Sequence, residues 1–365
     1  MTQPLSKTLR AIFLGVALVS VMISAASYIL LAELRRTSDA SSAPVVFVVE
    51  PGDSTNTIAT KLADAKLIRV PLLFTALVRM QELDGQLKAG TYNLNHAMTM
   101  SNIISALQLS QGVEEVQLTI IEGMRREQIA EAVGGAGFAN IDTQAFLSAT
   151  ADGASFKDRH FLLRDLPSGA SLEGYLFPDT YRFSKTATVD QVINTMLDNF
   201  DQKYASFETS VQVQSSVHQI VTMASIVQRE AARTDEMPKI ASVFWNRLKP
   251  ENVGETGGGK LQADPTLQYA LGKEGDWWPN LSNLSLSEIN GNTSPYNTRV
   301  QTGLPPGPIS SPGLAALEAA AKPDTSAPYL YFVASCTDKG AHSFTASFEE
   351  FQKLEQEYLA CQPQE

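Results

Sequence analysis

The sequence predicts an α+β protein, much richer in helix than in strand and carried by an N-terminal transmembrane helix. Three observations lead there. Ala11–Leu31 is a run of 21 residues without a formal charge, long enough for a helix to cross ~30 Å of hydrocarbon. Strand-like runs are short and few, at Val45–Val49, Lys88–Leu94, Val116–Ile121, Tyr329–Ala334 and His342–Ala346. The other apolar segments read as helices, several of them opening on a capping residue or a proline.

Taken in order, Lys7 and Arg10 precede the apolar run and favour a cytoplasmic N-terminus, while Arg35 and Arg36 beyond it weaken the asymmetry. A cleaved signal peptide competes, since small residues occupy Ser24–Ser27. The apolar run exceeds the usual ~7–15-residue signal core, which favours an uncleaved anchor. Thr37–Ala43 is a polar linker. Val45–Val49 then reads as a strand, Pro51-Gly52-Asp53 as a turn, and Ser54 as the cap of a helix through Leu62. A helix at Pro71–Gln81 and the strand Lys88–Leu94 complete a strand–helix–helix–strand unit. Helix Met100–Leu109, strand Val116–Ile121 and a helix starting after Gly123 suggest a similar half-unit.

Beyond Gly123, helices are predicted at Arg125–Val133, Thr143–Ala149, Val189–Tyr204, Val213–Ala232, Pro238–Leu248, Pro265–Leu271 and Pro312–Ala321. Asp264-Pro265 and Ser311-Pro312 read as an N-cap followed by an N1 proline. Tyr329–Ala334 and His342–Ala346 form a hairpin, and Phe348–Cys361 a closing helix. The resulting division is 1–36 for cytoplasmic tail and anchor, 37–122 for linker and first subdomain, and 123–365 for the main domain.

Charge and composition exclude several functions. The net charge is −11, and the chain beyond residue 36 is more negative still, which argues against nucleic acid as a partner. So acidic a domain has little affinity of its own for anionic lipid and needs the anchor. His96, His160, His218 and His342 are scattered and no HExxH or CxxC pattern occurs, so neither a metal nor a cofactor is expected. Gly254–Gly259 lacks the Lys-Ser/Thr of a phosphate loop. Cys336 and Cys361 either form one disulfide or remain free thiols.

The segment with the most chemistry in it is TMASIVQREA, Thr222–Ala231. Met223, Ile226 and Val227 lie seven, four and three residues before Glu230, on or beside its helical face. A carboxyl against aliphatic side chains at the negative end of a helix dipole is pushed towards its protonated form. A general acid needs that form at neutral pH. The competing role is a surface ion pair with Arg233, three residues on.

The surrounding segments resolve that choice. LEGYLFPDTYRF (172–183), ASVFWNRL (241–248), LQADPT (261–266), SPYNTRVQTGLPPGPISSPG (294–313) and YLYFVAS with GAHSFTASFEEF follow in one order. Together they resemble the membrane-bound endolytic murein transglycosylases, the YceG-like lytic transglycosylase family, from about Val45 to Leu359. The resemblance implies an enzyme that cuts peptidoglycan glycan strands on the periplasmic side of the inner membrane. It implies a LysM-like subdomain opening on VEPGDST, either contacting glycan or spacing the catalytic domain from the membrane. It also points to glycan-polymerising peptidoglycan synthases as partners.

By the same resemblance Glu230 is the single catalytic acid, and Gln228 stands where many relatives carry a further acidic residue. Glu173 is the principal rival, as a cleft residue or as the holder of a turn; its loop setting suggests a solvated carboxylate. Asn246 is a substrate ligand or a helix-end cap. Gln262, Asp264 and Thr266 look like a cleft rim, and Tyr296, Asn297 and Thr298 sit in a Pro/Gly-rich loop suited to facing substrate. Trp277 and Trp278 either stack on sugar rings or pack. The competing functions are a non-catalytic peptidoglycan-binding adaptor and a hydrolysing muramidase using a second carboxylate such as Glu173. A reading as an aminodeoxychorismate lyase finds no pyridoxal-type lysine motif.

Overall fold

The computed structural model describes residues 45–109 and 115–361. The anchor expected at Ala11–Leu31 lies outside them, and among the described residues no helix is long and apolar enough to cross a membrane. The chain divides into two compact units, Met1–Glu114 and Glu115–Glu365.

In the first unit the order is β1 (Val45–Val49), α1 (Thr55–Asp64), α2 (Pro71–Met80), β2 (Gly90–Leu94) and α3 (Met100–Gln108). Strand β1 runs antiparallel to β2 with Val45 opposite Leu94 and Val49 opposite Gly90. Alternation decides which face is buried: Phe47 and Val49 enter the core while Val46 and Val48 face out. Ser54 accepts the Thr57 N–H and starts α1, as its position in the sequence predicts. Ile58, Leu62, Phe74, Val78, Tyr92, Leu94, Ile103 and Leu107 fill the interior.

The second unit contains β3 (Glu115–Thr119), α4 (Arg126–Gly135), α5 (Thr143–Ala149), β4 (Thr180–Ser184), α6 (Val189–Ala205), α7 (Val217–Glu230) and α8 (Met237–Arg247). It continues through α9 (Asp264–Leu271), α10 (Leu286–Gly291), α11 (Leu314–Ala321), β5 (Tyr331–Ala334), β6 (His342–Thr345) and α12 (Phe348–Cys361). Helices thus dominate small antiparallel sheets, the α+β class that the sequence predicts. Strand β3 pairs with β4, Glu115 opposite Ser184 and Thr119 opposite Thr180, rather than within the first unit. The sequence predicts no strand at β4. Its alternation nevertheless sends Tyr181 and Phe183 into the core beside Val116 and Leu118.

Helix α7 is the spine of this unit. Apart from the exposed capping residue Gln219, every side chain from Val217 to Val227 is buried, and the helix packs against both α8 and α11. It starts later than the sequence predicts because Ser216 and Gln219 form a reciprocal capping box. Two predicted caps are corrected. Ala263, not Asp264, precedes α9, and the Asp264 carboxylate turns instead to Arg299. Gly313, not Ser311, caps α11; the Ser311 N–H donates to the Met124 carbonyl at 2.7 Å, a tertiary use that local spacing does not encode. The hairpin β5–β6 and α12 form as predicted, and a Cys336–Cys361 disulfide joins the end of α12 to the segment after β5.

Candidate active site

Glu230 is the last residue of α7, and its carboxyl opens on a cavity of about 420 Å³. Val243, Phe244, Leu261, Leu330 and Phe332 supply apolar wall around it, with Gln262, Asp264 and Arg299 on the polar side. Part of the side chain meets solvent in this cleft, but protein crowds the carboxyl itself, and that desolvation pushes its pKa up to about 8. The Asp264 carboxylate raises it further, while Arg299 and the Asp264 backbone amide act the other way. Arg233 does not take the ion-pair role open to it in the sequence. Its guanidinium binds Asp235 at 3.0 Å and Asp338 at 2.9 Å.

The cleft wall is fixed by a buried guanidinium. Arg247, at the end of α8, donates to the carbonyls of Lys260 and Leu330 and to Gln262 Oε1. Gln262 itself adopts a left-handed φ of +57°, uncommon for a residue with a Cβ. Thr266 and Thr298 knit this loop to its neighbour. Their hydroxyls lie 2.8 Å apart, the Ala263 N–H donates to Thr298 Oγ1 and the Gln262 N–H to the Thr298 carbonyl. Asp264 and Arg299 then pair across the same two loops.

The residues singled out in the sequence therefore fall into three groups. Glu230, Gln262 and Asp264 share the cleft. Thr266, Asn297 and Thr298 are buried beneath it; Asn297 Nδ2 donates to the carbonyls of Ile289 and Asn292, both at 2.8 Å. Asn246 is also buried, its amide donating to the Tyr329 carbonyl and Ser242 Oγ away from the cleft. Glu173 and Tyr296 line a separate cavity of about 390 Å³ with His218 and Pro306–Pro308.

Glu173 is 4% exposed, not the solvated loop carboxylate its sequence setting suggests. It accepts the Arg126 N–H at the start of α4, the Gly174 N–H and the Tyr269 hydroxyl. Burial, then the Glu127 charge, lifts its pKa to about 7 against the Arg126 amide hydrogen bond and the Arg125 and Arg126 charges. The turn that places it needs Gly174, where φ is +81° and a Cβ would meet the Pro308 ring at 2.3 Å. Trp277 and Trp278 pack: their indoles donate to Glu131 and Gln128, and Arg125 and Arg229 lie over their faces.

Gln228, where an acidic residue was possible, ties the Glu122 carboxylate to the Gly313 N–H. Among the described residues one group has metal-ligating types together, His160, Asp198 and Asp201. His160 there bonds Asp201 at 2.8 Å and Asn194 at 3.0 Å, outside the cleft. Cleft residues not singled out from the sequence include Arg247, Arg299, Tyr331, Phe332, Phe348, Phe351 and Glu355. Arg299 and Tyr331 lie inside the quoted SPYNTRV and YLYF segments, which was the available signal.

Fold and cleft together define a mainly helical α+β domain whose main cleft is built around a desolvated carboxylic acid, Glu230. The YceG-like family model matches residues 47–357, and the chain belongs to that family. Endolytic murein transglycosylases of two Streptococcus pneumoniae strains are 35% identical, over 82% of this chain and 56% of theirs. The chain thus spans little more than half the length of those relatives. The endolytic murein transglycosylase of Bacillus subtilis is 31% identical over 86% of this chain and 84% of its own. The 2.6 Å crystal structure of a YceG-like protein from Listeria monocytogenes is similar at a TM-score of 0.55 and 33% identity. That match covers 86% of this chain and all of the other.

Proposed function

We propose that the chain is an endolytic peptidoglycan lytic transglycosylase, with Glu230 as its single acid and base. The observation that carries this reading is a carboxyl with a pKa of about 8, open to a cleft, in a chain whose relatives are named murein transglycosylases. At neutral pH Glu230 holds a proton to give to the glycosidic oxygen between N-acetylmuramic acid and N-acetylglucosamine as that bond breaks. The carboxylate so formed then takes the proton from the muramoyl 6-hydroxyl, whose oxygen closes on the anomeric carbon. Tethering makes that attack intramolecular, so no positioned water is needed. The product is a 1,6-anhydro-muramoyl end. Gln262 and Asp264 at the cleft rim offer hydrogen-bonding groups to the strand.

Mass spectrometry of purified glycan digested by the protein tests this. The expected ends are anhydro ends, lighter by one water than reducing ends, arising from internal bonds and terminating strand growth. A second reading, hydrolysis, draws support from Asp264, a second carboxylate in the Glu230 cavity. Reducing muramic ends would select it, and glycan left intact would leave the binding adaptor.

The same proposal places Ala11–Leu31 as a single-pass inner-membrane anchor with the remainder in the periplasm, on the strength of its uncharged length. Alkaline phosphatase fused after Glu365 should be active; an inactive fusion at normal abundance rejects that topology. The βααβ order of the first unit supports a LysM-like subdomain that contacts glycan. Deleting residues 45–109 should then weaken retention on insoluble peptidoglycan, whereas unchanged retention would leave it a spacer. Peptidoglycan synthases are the proposed protein partners, to be sought by crosslinking in membranes; a crosslinked set without them would reject the pairing.

A further inference from the structure

We propose that α12 is a substrate-contacting wall of the Glu230 cleft, with Phe348, Phe351 and Glu355 forming a sugar subsite that the Cys336–Cys361 disulfide keeps in place. The inference rests on the glycan-cleaving reading and adds a binding element to it. All three side chains line the cavity that holds Glu230. Their spacing of three and four residues puts them on one face of the helix.

That face is aromatic and open. Phe348 and Phe351 have ring centroids 6.0 Å apart at an interplanar angle of 22°, and both lie against Tyr331 at 5.7 and 5.0 Å. Phe348 nonetheless remains 50% exposed. Glu355, one turn beyond Phe351, is exposed and has no ion-pair partner among the described residues, whereas Lys353 on another face is paired with Glu349 and Glu350. A pyranose has an apolar C–H face and a rim of hydroxyl and amide donors. The aromatic platform fits the first and the carboxylate the second.

The attachment of this wall is weak apart from its covalent link. Helix α12 has no fully buried side chain among the described residues, and its main packing partner is the small hairpin β5–β6. The disulfide fixes its far end, 25 residues along the chain from Cys336. Without that bond the helix has little to hold it over the cavity.

The test uses the full-length chain in detergent with purified glycan strands. Phe351→Ala, Glu355→Gln and the pair Cys336→Ser with Cys361→Ser are compared with Lys353→Ala. The subsite residues should raise KM by ~10-fold or more, with a smaller change in kcat, and Lys353→Ala should match wild type. The same substitutions placed in Glu230→Gln should weaken glycan binding by a similar factor in calorimetry. Unchanged KM and unchanged binding for Phe351→Ala and Glu355→Gln overturn the subsite; the same result for the serine pair overturns the tether. If wild type binds glycan without cleaving it, the transglycosylase reading fails while the calorimetry still judges the subsite. If it neither binds nor cleaves, both fall.

Discussion

Glu230→Gln should fold like wild type and lose glycan cleavage by ~10²–10⁴-fold or more, because the lost group serves first as acid and then as base. The amide is nearly isosteric and keeps hydrogen-bonding capacity, so binding to the strand should survive while turnover does not. Single-turnover digestion of purified glycan, with circular dichroism as the folding control, reads this directly. A folded variant with near-normal turnover would sink the mechanism.

The same substitution has a pH signature with a definite sign. Glu230 titrates at about 8 in the fold, against 4.5 as its ordinary value. Between those limits the folded state keeps a proton that the unfolded chain has released, so rising pH destabilises the native form across that window. Glutamine does not titrate. The Tm advantage of Glu230→Gln over wild type should therefore grow from pH 5 to pH 8 and then level off. Wild-type cleavage should decline above about pH 8, as the acid form disappears.

How far the sequence anticipates this site follows from where each interaction comes from. Glu230 was legible because its cause is local: an apolar helical run ending in one acid, which the fold then buries between α8 and α11. Thr143–Ala149 and Phe348–Cys361 were legible at both ends because periodicity and flanking polar residues agree there. Glu173 was misjudged because its burial depends on α4 and on Tyr269, which lies 96 residues away. Asp264 and Ser311 look like helix caps locally, but the Asp264 carboxylate turns to distant Arg299. The backbone of Ser311 is tied to the Met124 carbonyl, while the helix starts two residues further on, after Gly313. Strand β4 was missed for the same reason, since its partner β3 lies some sixty residues earlier. Pairing across such distances leaves little mark on either segment alone.

Arg247→Ala is the stability prediction with the largest expected effect. Arg247 is 5% exposed, and its guanidinium joins α8 to two other segments through the Lys260 carbonyl at 2.9 Å, the Leu330 carbonyl at 3.0 Å and Gln262 Oε1. Truncation leaves two carbonyls without this donor and a hole where a planar cation filled the space over Tyr331. Leaving buried acceptors unsatisfied costs ~1–3 kcal/mol each, so a loss of several kcal/mol is expected, and each kcal/mol moves Tm by ~2–4 °C at this domain size. Arg247→Lys should recover only part of this, because one ammonium cannot span three acceptors spread along a planar fork. The loss should reach catalysis as well. Gln262 holds its left-handed backbone with Arg247 as partner, and it stands at the rim of the cavity that Glu230 faces. Differential scanning calorimetry should thus show a Tm lower by about 10 °C, with reduced cleavage even well below the transition. A shift of under about 2 °C would mean that the cleft wall keeps its shape without this clamp.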